Sequence, residues 1–253
     1  MARKHSTSRT LVIVFIVIVA IANIIYYLTS FFNRPPHIIY PEFGIEIPAG
    51  YSLHGIDVSR YQHSINWKDV KEMHVKNIKI GFVFIKATEG MDKVDAQFRR
   101  NWMDAEEENI PKGAYHYFIA GKSGTAQANN FIEIVKLKKG DLPPVLDIEE
   151  TYGADISDMQ KHLQEWLIKV EKEYKVRPII YTNINFYNNF LREIFNTYPV
   201  WIAHYFQPDK PRLDRKWTFW QHSERGHVNG IKSMVDFNVF SGDSTAFQNL
   251  RIK

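Results

Sequence analysis

The chain has 253 residues, 45% hydrophobic, 14% aromatic and 24% charged, a globular composition that excludes disordered and collagen-like classes. It contains no cysteine, so disulfide scaffolds, thiol nucleophiles, Cys-ligated zinc and iron–sulfur clusters are excluded. The formal charge of +4 is not a nucleic-acid footprint: of 32 bases, Arg3, Lys4, Arg9 and Arg34 stand in an acid-free N-terminal stretch, which leaves 28 bases against 28 acids in the rest.

In chain order, the first element is apolar. No residue from Thr10 to Asn33 is charged. Residues 11–32 would form a helix of about 33 Å at 1.5 Å per residue, long enough to cross a bilayer core. Arg3, Lys4 and Arg9 precede it, so the positive-inside rule places residues 1–10 in the cytoplasm and the rest of the chain outside. The span is expected to be a signal anchor. Ala20-Ile21-Ala22 also resembles a signal-peptidase site, and cleavage after Ala22 would make the protein secreted. Residues 33–50, with Pro35, Pro36, Pro41 and Pro48, read as a stiff extended linker to a folded domain at 51–253.

That domain alternates short apolar runs with amphipathic stretches. Strands are expected at 54–59, 81–88, 113–118, 144–149 and 178–182, and helices at 67–76, 96–109, 125–137 and 157–174. Ser157 with Gln160 resembles a capping box opening the last of these. A shorter helical pattern covers 185–195. Helical periodicity then stops, and three further strands follow at 200–205, 217–222 and 235–240. Five β/α units and three trailing strands give an α/β fold, a modified TIM-like barrel preceded by one N-terminal helix.

In such a barrel, function belongs at the C-terminal ends of the strands. Those ends carry Asp57, Lys86 with Glu89, Tyr115 with Tyr117, Asp147 with Glu149, Tyr181, and Trp220 with Gln221; Asp236 and Asn238 lie in the eighth strand. Carboxylates beside aromatic rings suit a carbohydrate: acids for the glycosidic bond, flat rings for sugar faces. Asp147 and Glu149 are the sharpest pair. Residues i and i+2 of a strand face one side, roughly 6.6 Å apart. Like charges held that close drive one carboxyl toward its protonated form, which supplies a general acid. Lys86 and Glu89 are equally readable as a buried brace or a substrate contact. Gly121-Lys122-Ser123 lacks the earlier glycine of a phosphate loop, since His116 stands in its place. Ten histidines show no zinc-binding spacing, and no metal or cofactor is expected. Trp67, Trp102 and Trp166 fall in helical patterns and read as core packing.

The motifs His54-Gly55-Ile56-Asp57-Val58-Ser59 with Asn66-Trp67, Phe84-Ile85-Lys86-Ala87-Thr88-Glu89-Gly90 and Gly113-Ala114-Tyr115-His116-Tyr117-Phe118 resemble glycoside hydrolase family 25, the Chalaropsis-type lysozymes. So do Leu146-Asp147-Ile148-Glu149, Trp201-Ile202-Ala203, Trp220-Gln221 and Val235-Asp236-Phe237-Asn238. The resemblance runs in order from about residue 53 to 241. It implies a modified eight-stranded barrel and an N-acetylmuramidase that cleaves the β-1,4 bond between N-acetylmuramic acid and N-acetylglucosamine in peptidoglycan. It also implies Glu149 as general acid, Asp147 as its partner, and Asp57 and Asp236 as flanking acids. Tyr115, Tyr117, Tyr181, Trp201, Trp220 and Gln221 are the expected substrate-binding residues; Tyr117, Tyr181 and Trp220 should lie near the rim, and barrel packing is the alternative, equally open for Trp220. His63 and Ser233 stand where glycine is common in the family, and Phe237 where leucine is usual. Two rival readings are a binding barrel without catalysis and a chitinase-like glycosidase; the neutral domain argues against a nucleic-acid partner. The sequence leaves the oligomeric state open.

Overall fold

The computed structural model describes residues 4–32 and 38–253, so Arg3, Arg34, Pro35 and Pro36 lie outside the described residues. The chain divides into two units, Met1–Pro36 and His37–Lys253. The first is a single helix, α1 (Lys4–Phe32), whose stretch Thr10–Thr29 has a mean hydropathy of 2.9. Its side chains are apolar all round and exposed, from Leu11 through Leu28, so no face is marked for a protein core.

The second unit opens with a hairpin, β1 (Ile38–Tyr40) and β2 (Ile45–Ile47), paired antiparallel. Gly44 takes φ +68 at its turn, which favours glycine. Tyr40, Phe43, Ile45 and Ile47 are buried, and the Phe43 ring packs 5.3 Å from Phe237. The extended-linker expectation for 33–50 is therefore corrected over residues 38–50, while its part at 33–37 lies outside the described residues. Pro41 and Pro48 bound the turn and the strand end, and the alternating apolar residues between them bury one face.

The barrel follows. Its elements are β3 (His54–Val58), α2 (Trp67–Glu72), β4 (His74–Val75), β5 (Ile78–Glu89), β6 (Lys93–Val94), α3 (Phe98–Glu107), β7 (Lys112–Tyr117), α4 (Gly124–Ile134), β8 (Val145–Asp147), α5 (Ile156–Tyr174) and β9 (Ile179–Asn183). After these come α6 (Ile184–Phe186), which runs into a π-helical turn at Tyr187–Leu191, then β10 (Val200–Ala203), β11 (Phe219–Gly226), β12 (Val235–Phe240) and α7 (Ser244–Leu250). Eight strands close the barrel in the order β3-β12-β11-β10-β9-β8-β7-β5, sealed by the parallel β3–β5 pair. Seven run parallel. β12 is antiparallel to both neighbours because β11 turns straight into it without a crossover helix.

Strand alternation sorts the side chains into two cores. Ile56, Val83, Ile85, Leu146, Ile180 and Ile202 point outward to the helices, where Trp67 and Trp166 are buried. Phe82, Phe84, Val145, Ile179, Trp201 and Phe219 fill the barrel interior. Gly55 and Gly113 make room there: a Cβ on either would stand 2.4 and 2.5 Å from the Phe82 and Phe84 rings. The unanticipated α7 packs Phe247 against Phe82 and Phe240, at 5.6 and 5.3 Å, and plugs one end of the barrel. The capping expectation at Ser157 is also corrected. Asp155 caps α5, accepting from the Ser157 and Asp158 amides at 2.8 and 3.1 Å, while a capping box forms instead at Ser59 and Gln62 after β3.

Candidate active site

The barrel end opposite Phe247 holds a cavity of about 340 Å³ lined by Asp57, Lys86, Tyr115, Tyr117, Asp147, Glu149, Tyr181, Trp201, Gln221 and Asp236. Inward-facing positions from all eight strands supply it. Asp236 joins although it lies near the start of β12, because that strand runs backwards and its start reaches the rim where the others end. It is the register partner of Asp57.

Below the rim an ordered network fixes Asp57. The Trp201 indole, a donor only, donates to Asn238 Oδ1 at 2.7 Å, which turns Asn238 Nδ2 toward Asp57 Oδ2 at 2.7 Å. Gln221 Nε2 donates to the same oxygen at 2.9 Å, and Gln221 Oε1 accepts from the Tyr181 and Tyr205 hydroxyls at 2.8 and 2.6 Å. Burial pushes Asp57 up to about 6, restrained by hydrogen bonds with Asn238, Gln221 and Asp236. Burial, and next the charge of Asp57, push Asp236 up to about 9. Both shifts run upward, so the pair favours holding a proton between its two carboxyls.

The second pair stands across the cavity. β8 ends at Asp147, but the Ile148 amide still donates to Tyr181 O at 3.0 Å, so the alternation carries one step on and Glu149 lines the same cavity. Glu149 is pushed up to about 7, first by burial and then by the charge of Asp57. Asp147 is raised by burial and then by Glu149, with Lys86 opposing. Its Oδ1 is buried without a hydrogen-bond partner among the described residues. Lys86 both braces and lines. Its Nζ binds Glu89 at 2.9 Å and lies 4.4 Å from the centre of the Tyr117 ring. Burial raises Glu89, but hydrogen bonds from Lys86 and Lys93 outweigh it and leave its carboxyl at about 2.

Of the ten expected site residues, nine meet here and Trp220 does not. It is fully buried on the outer face of β11, where its indole donates to His204 O at 2.8 Å. Alternation is the reason. Trp220 and Gln221 are neighbours in one strand, so only one of them can face the interior. Tyr205, read at the end of the sixth strand but not among the expected site residues, lines the cavity as well, in the i+2 rhythm Trp201, Ala203, Tyr205. Tyr61, Gln62 and Glu224 also line the cavity, from a short turn and a bulged strand that leave no periodic signal.

A family model described as glycosyl hydrolases family 25 matches residues 56–231. The uncharacterized protein YegX of Escherichia coli (strain K12) is 46% identical over 200 residues, covering 79% of this chain and 74% of its own. Lysozyme M1 of Streptomyces globisporus is 36% identical over 217 residues, covering 78% of this chain and 71% of its own. The solved structure of a family 25 glycosyl hydrolase from Bacillus anthracis is similar with a TM-score of 0.73 at 33% identity, covering 79% of this chain and 94% of that one. The matched stretch takes in all four carboxylates except Asp236, which lies just beyond it on the strand that pairs with Asp57, and on these matches the chain belongs to glycosyl hydrolases family 25.

Proposed function

We propose that this glycosyl hydrolase cleaves peptidoglycan at the β-1,4 bond between N-acetylmuramic acid and N-acetylglucosamine, with Glu149 as general acid. The observation that carries the reading is Glu149 itself: a partly buried carboxyl at the cavity rim, pushed up to about 7, is protonated in a large fraction of molecules near neutral pH. Lysozyme M1 and the autolytic lysozyme of Clostridium acetobutylicum, 30% identical over 190 residues, support the substrate class by name.

Asp147 supplies the second role. Asp147 lines the cavity and its buried Oδ1 has no hydrogen-bond partner among the described residues, so the N–H of a sugar's acetamido group is a donor that fits. With that N–H held, the acetamido oxygen attacks the anomeric carbon while Glu149 protonates the leaving oxygen, a substrate-assisted first step. Water that Glu149 deprotonates then opens the resulting oxazolinium ion at the same carbon, and the two inversions together retain configuration. NMR of the first product should show the retained anomer; an inverted one excludes the route.

The role assignment has its own test. Glu149→Gln keeps shape but cannot deliver a proton, so turnover on peptidoglycan should fall about 100- to 10,000-fold. An activated aryl glycoside needs little protonation and should restore much of that loss. Asp147→Asn should be slow on both substrates. If the aryl substrate rescues Asp147→Asn and leaves Glu149→Gln inactive, the two roles are reversed.

α1 is the membrane anchor in this reading, with the catalytic unit outside the cytoplasm. A helix apolar on every face is stable in hydrocarbon and insoluble in water. A reporter fused after Lys253 should be active only outside the cytoplasm. A mature protein starting at Asn23 would show cleavage after Ala22 instead.

A further inference from the structure

A second groove of about 370 Å³ adjoins the catalytic cavity, and the two share Tyr205 and Glu224 as walls. Its other walls come from the hairpin, through Ile45 and Pro48, from the outer side of β11, through His222, and from the loop after β10, through Phe206 and Gln207. The hairpin lies N-terminal to the stretch that the family model matches.

Two observations point to a ligand and a third to its class. Phe206 is 88% exposed and takes φ +58, a left-handed conformation that costs a bulky residue about 1–3 kcal/mol and holds an apolar ring face in solvent. Gln207 Oε1 and His222 Nε2 are buried polar atoms with no hydrogen-bond partner among the described residues, although His222 is only 7% exposed. Buried polar groups are otherwise nearly always paired. Finally, the rim mixes Glu46 and Glu224 with Arg225, so no single sign of charge selects an ionic occupant.

We propose that this groove binds a further N-acetylated sugar of the glycan strand whose scissile bond lies in the cavity. The sugar's apolar face stacks on Phe206, an N–H or O–H of the sugar donates to Gln207 Oε1, and a hydroxyl, which can donate or accept, pairs with His222 Nε2. The strand leaves the cavity over Tyr205, one of the two walls common to both. This assignment rests on the peptidoglycan reading above, and it makes the hairpin part of the substrate-binding surface.

The test uses the full chain on peptide-free glycan strands of graded length. Phe206 is solvent-exposed and lies outside the cavity, so Phe206→Ala should fold normally. It should lower kcat/KM about tenfold on long strands, chiefly through KM, and leave the shortest strand that the wild type cleaves unaffected. Phe206→Trp, which keeps a ring, should restore the long-strand rate. An equal loss at every length, or no loss at any, overturns the proposal. So does a loss confined to strands that still carry peptide, which would make the groove a site for the peptide stem. If the wild type cleaves no strand at all, the peptidoglycan reading itself falls and the groove assignment falls with it.

Discussion

Asp57 and Asp236 face each other across the antiparallel pairing of β3 and β12, and their electrostatics act against the fold. Burial, and next the charge of Asp57, raise the Asp236 carboxyl from its ordinary 3.8 up to about 9. A carboxyl raised in the native state adds its full stability only below the ordinary value, and loses it as pH rises through the native one. At pH 7 Asp236 therefore costs stability, because unfolding lets it ionise freely. Asp236→Asn keeps a hydrogen-bond donor toward Asp57 and removes the ionisation. Its Tm should exceed that of the wild type by several degrees at pH 7, where about 1 kcal/mol moves Tm roughly 2–4 °C for a chain of this size. The advantage should shrink toward pH 4. A difference that does not change with pH, or a lower Tm at pH 7, would show that burial of this acid is not what the fold opposes. All four carboxylates were legible from residue type and strand position. Tyr205 and Trp220 obey the same parity that pairs Asp147 with Glu149, and their facing follows once Trp201 and Gln221 are known to point inward.

At the scale of elements, the eight barrel strands and the four main helices follow from hydrophobic periodicity, because each buries one defined face. What escaped has no such face. β12 reads like any other strand, and only the missing helix between it and β11 makes it antiparallel. α7 is seven residues long and buries one side chain, Phe247, too little for a periodic signal. Ser157 looked like a cap because its spacing to Gln160 is right, yet Asp155 two residues earlier already satisfies the first amides. His63 is the converse, a departure from the family pattern whose cost is visible in the backbone. It closes the turn after β3 with φ 54 and ψ −130, a region suited to glycine. Strain of about 1–3 kcal/mol outweighs the roughly 0.5–1 kcal/mol that glycine loses in chain entropy. The side chain is exposed, so little packing goes with it. His63→Gly should therefore raise Tm by a few degrees in a thermal melt, and a lower Tm would mean that the ring makes contacts worth more than the strain.

For the whole molecule, charge and apolar content separate the chain into an apolar helix and a formally neutral catalytic unit, and the structure divides it at Pro36 and His37. The sequence reading puts the start of the folded unit later, at residue 51, because prolines dominate the intervening stretch. The prolines hid a hairpin whose alternation spans only three residues per strand. The difference has a measurable consequence. Phe43 and Phe237 are both fully buried, and each ring covers the other. The hairpin is also tied to the barrel by the His227 amide, which donates to Phe43 O at 2.9 Å. A chain starting at residue 51 loses Tyr40, Phe43, Ile45 and Ile47 and exposes Phe237 on the outside of β12. Uncovering one such ring costs about 1.5–3 kcal/mol, which for this size corresponds to a Tm lower by roughly 5–10 °C. Because β12 carries Asp236, its loosening should also weaken the carboxyl pair with Asp57. The comparison is between residues 37–253 and residues 51–253, each by thermal melt and by hydrolysis of cell walls. The shorter chain should melt earlier and lose specific activity at temperatures where it remains folded. Equal melting temperatures would mean that the hairpin is appended to a barrel already complete without it.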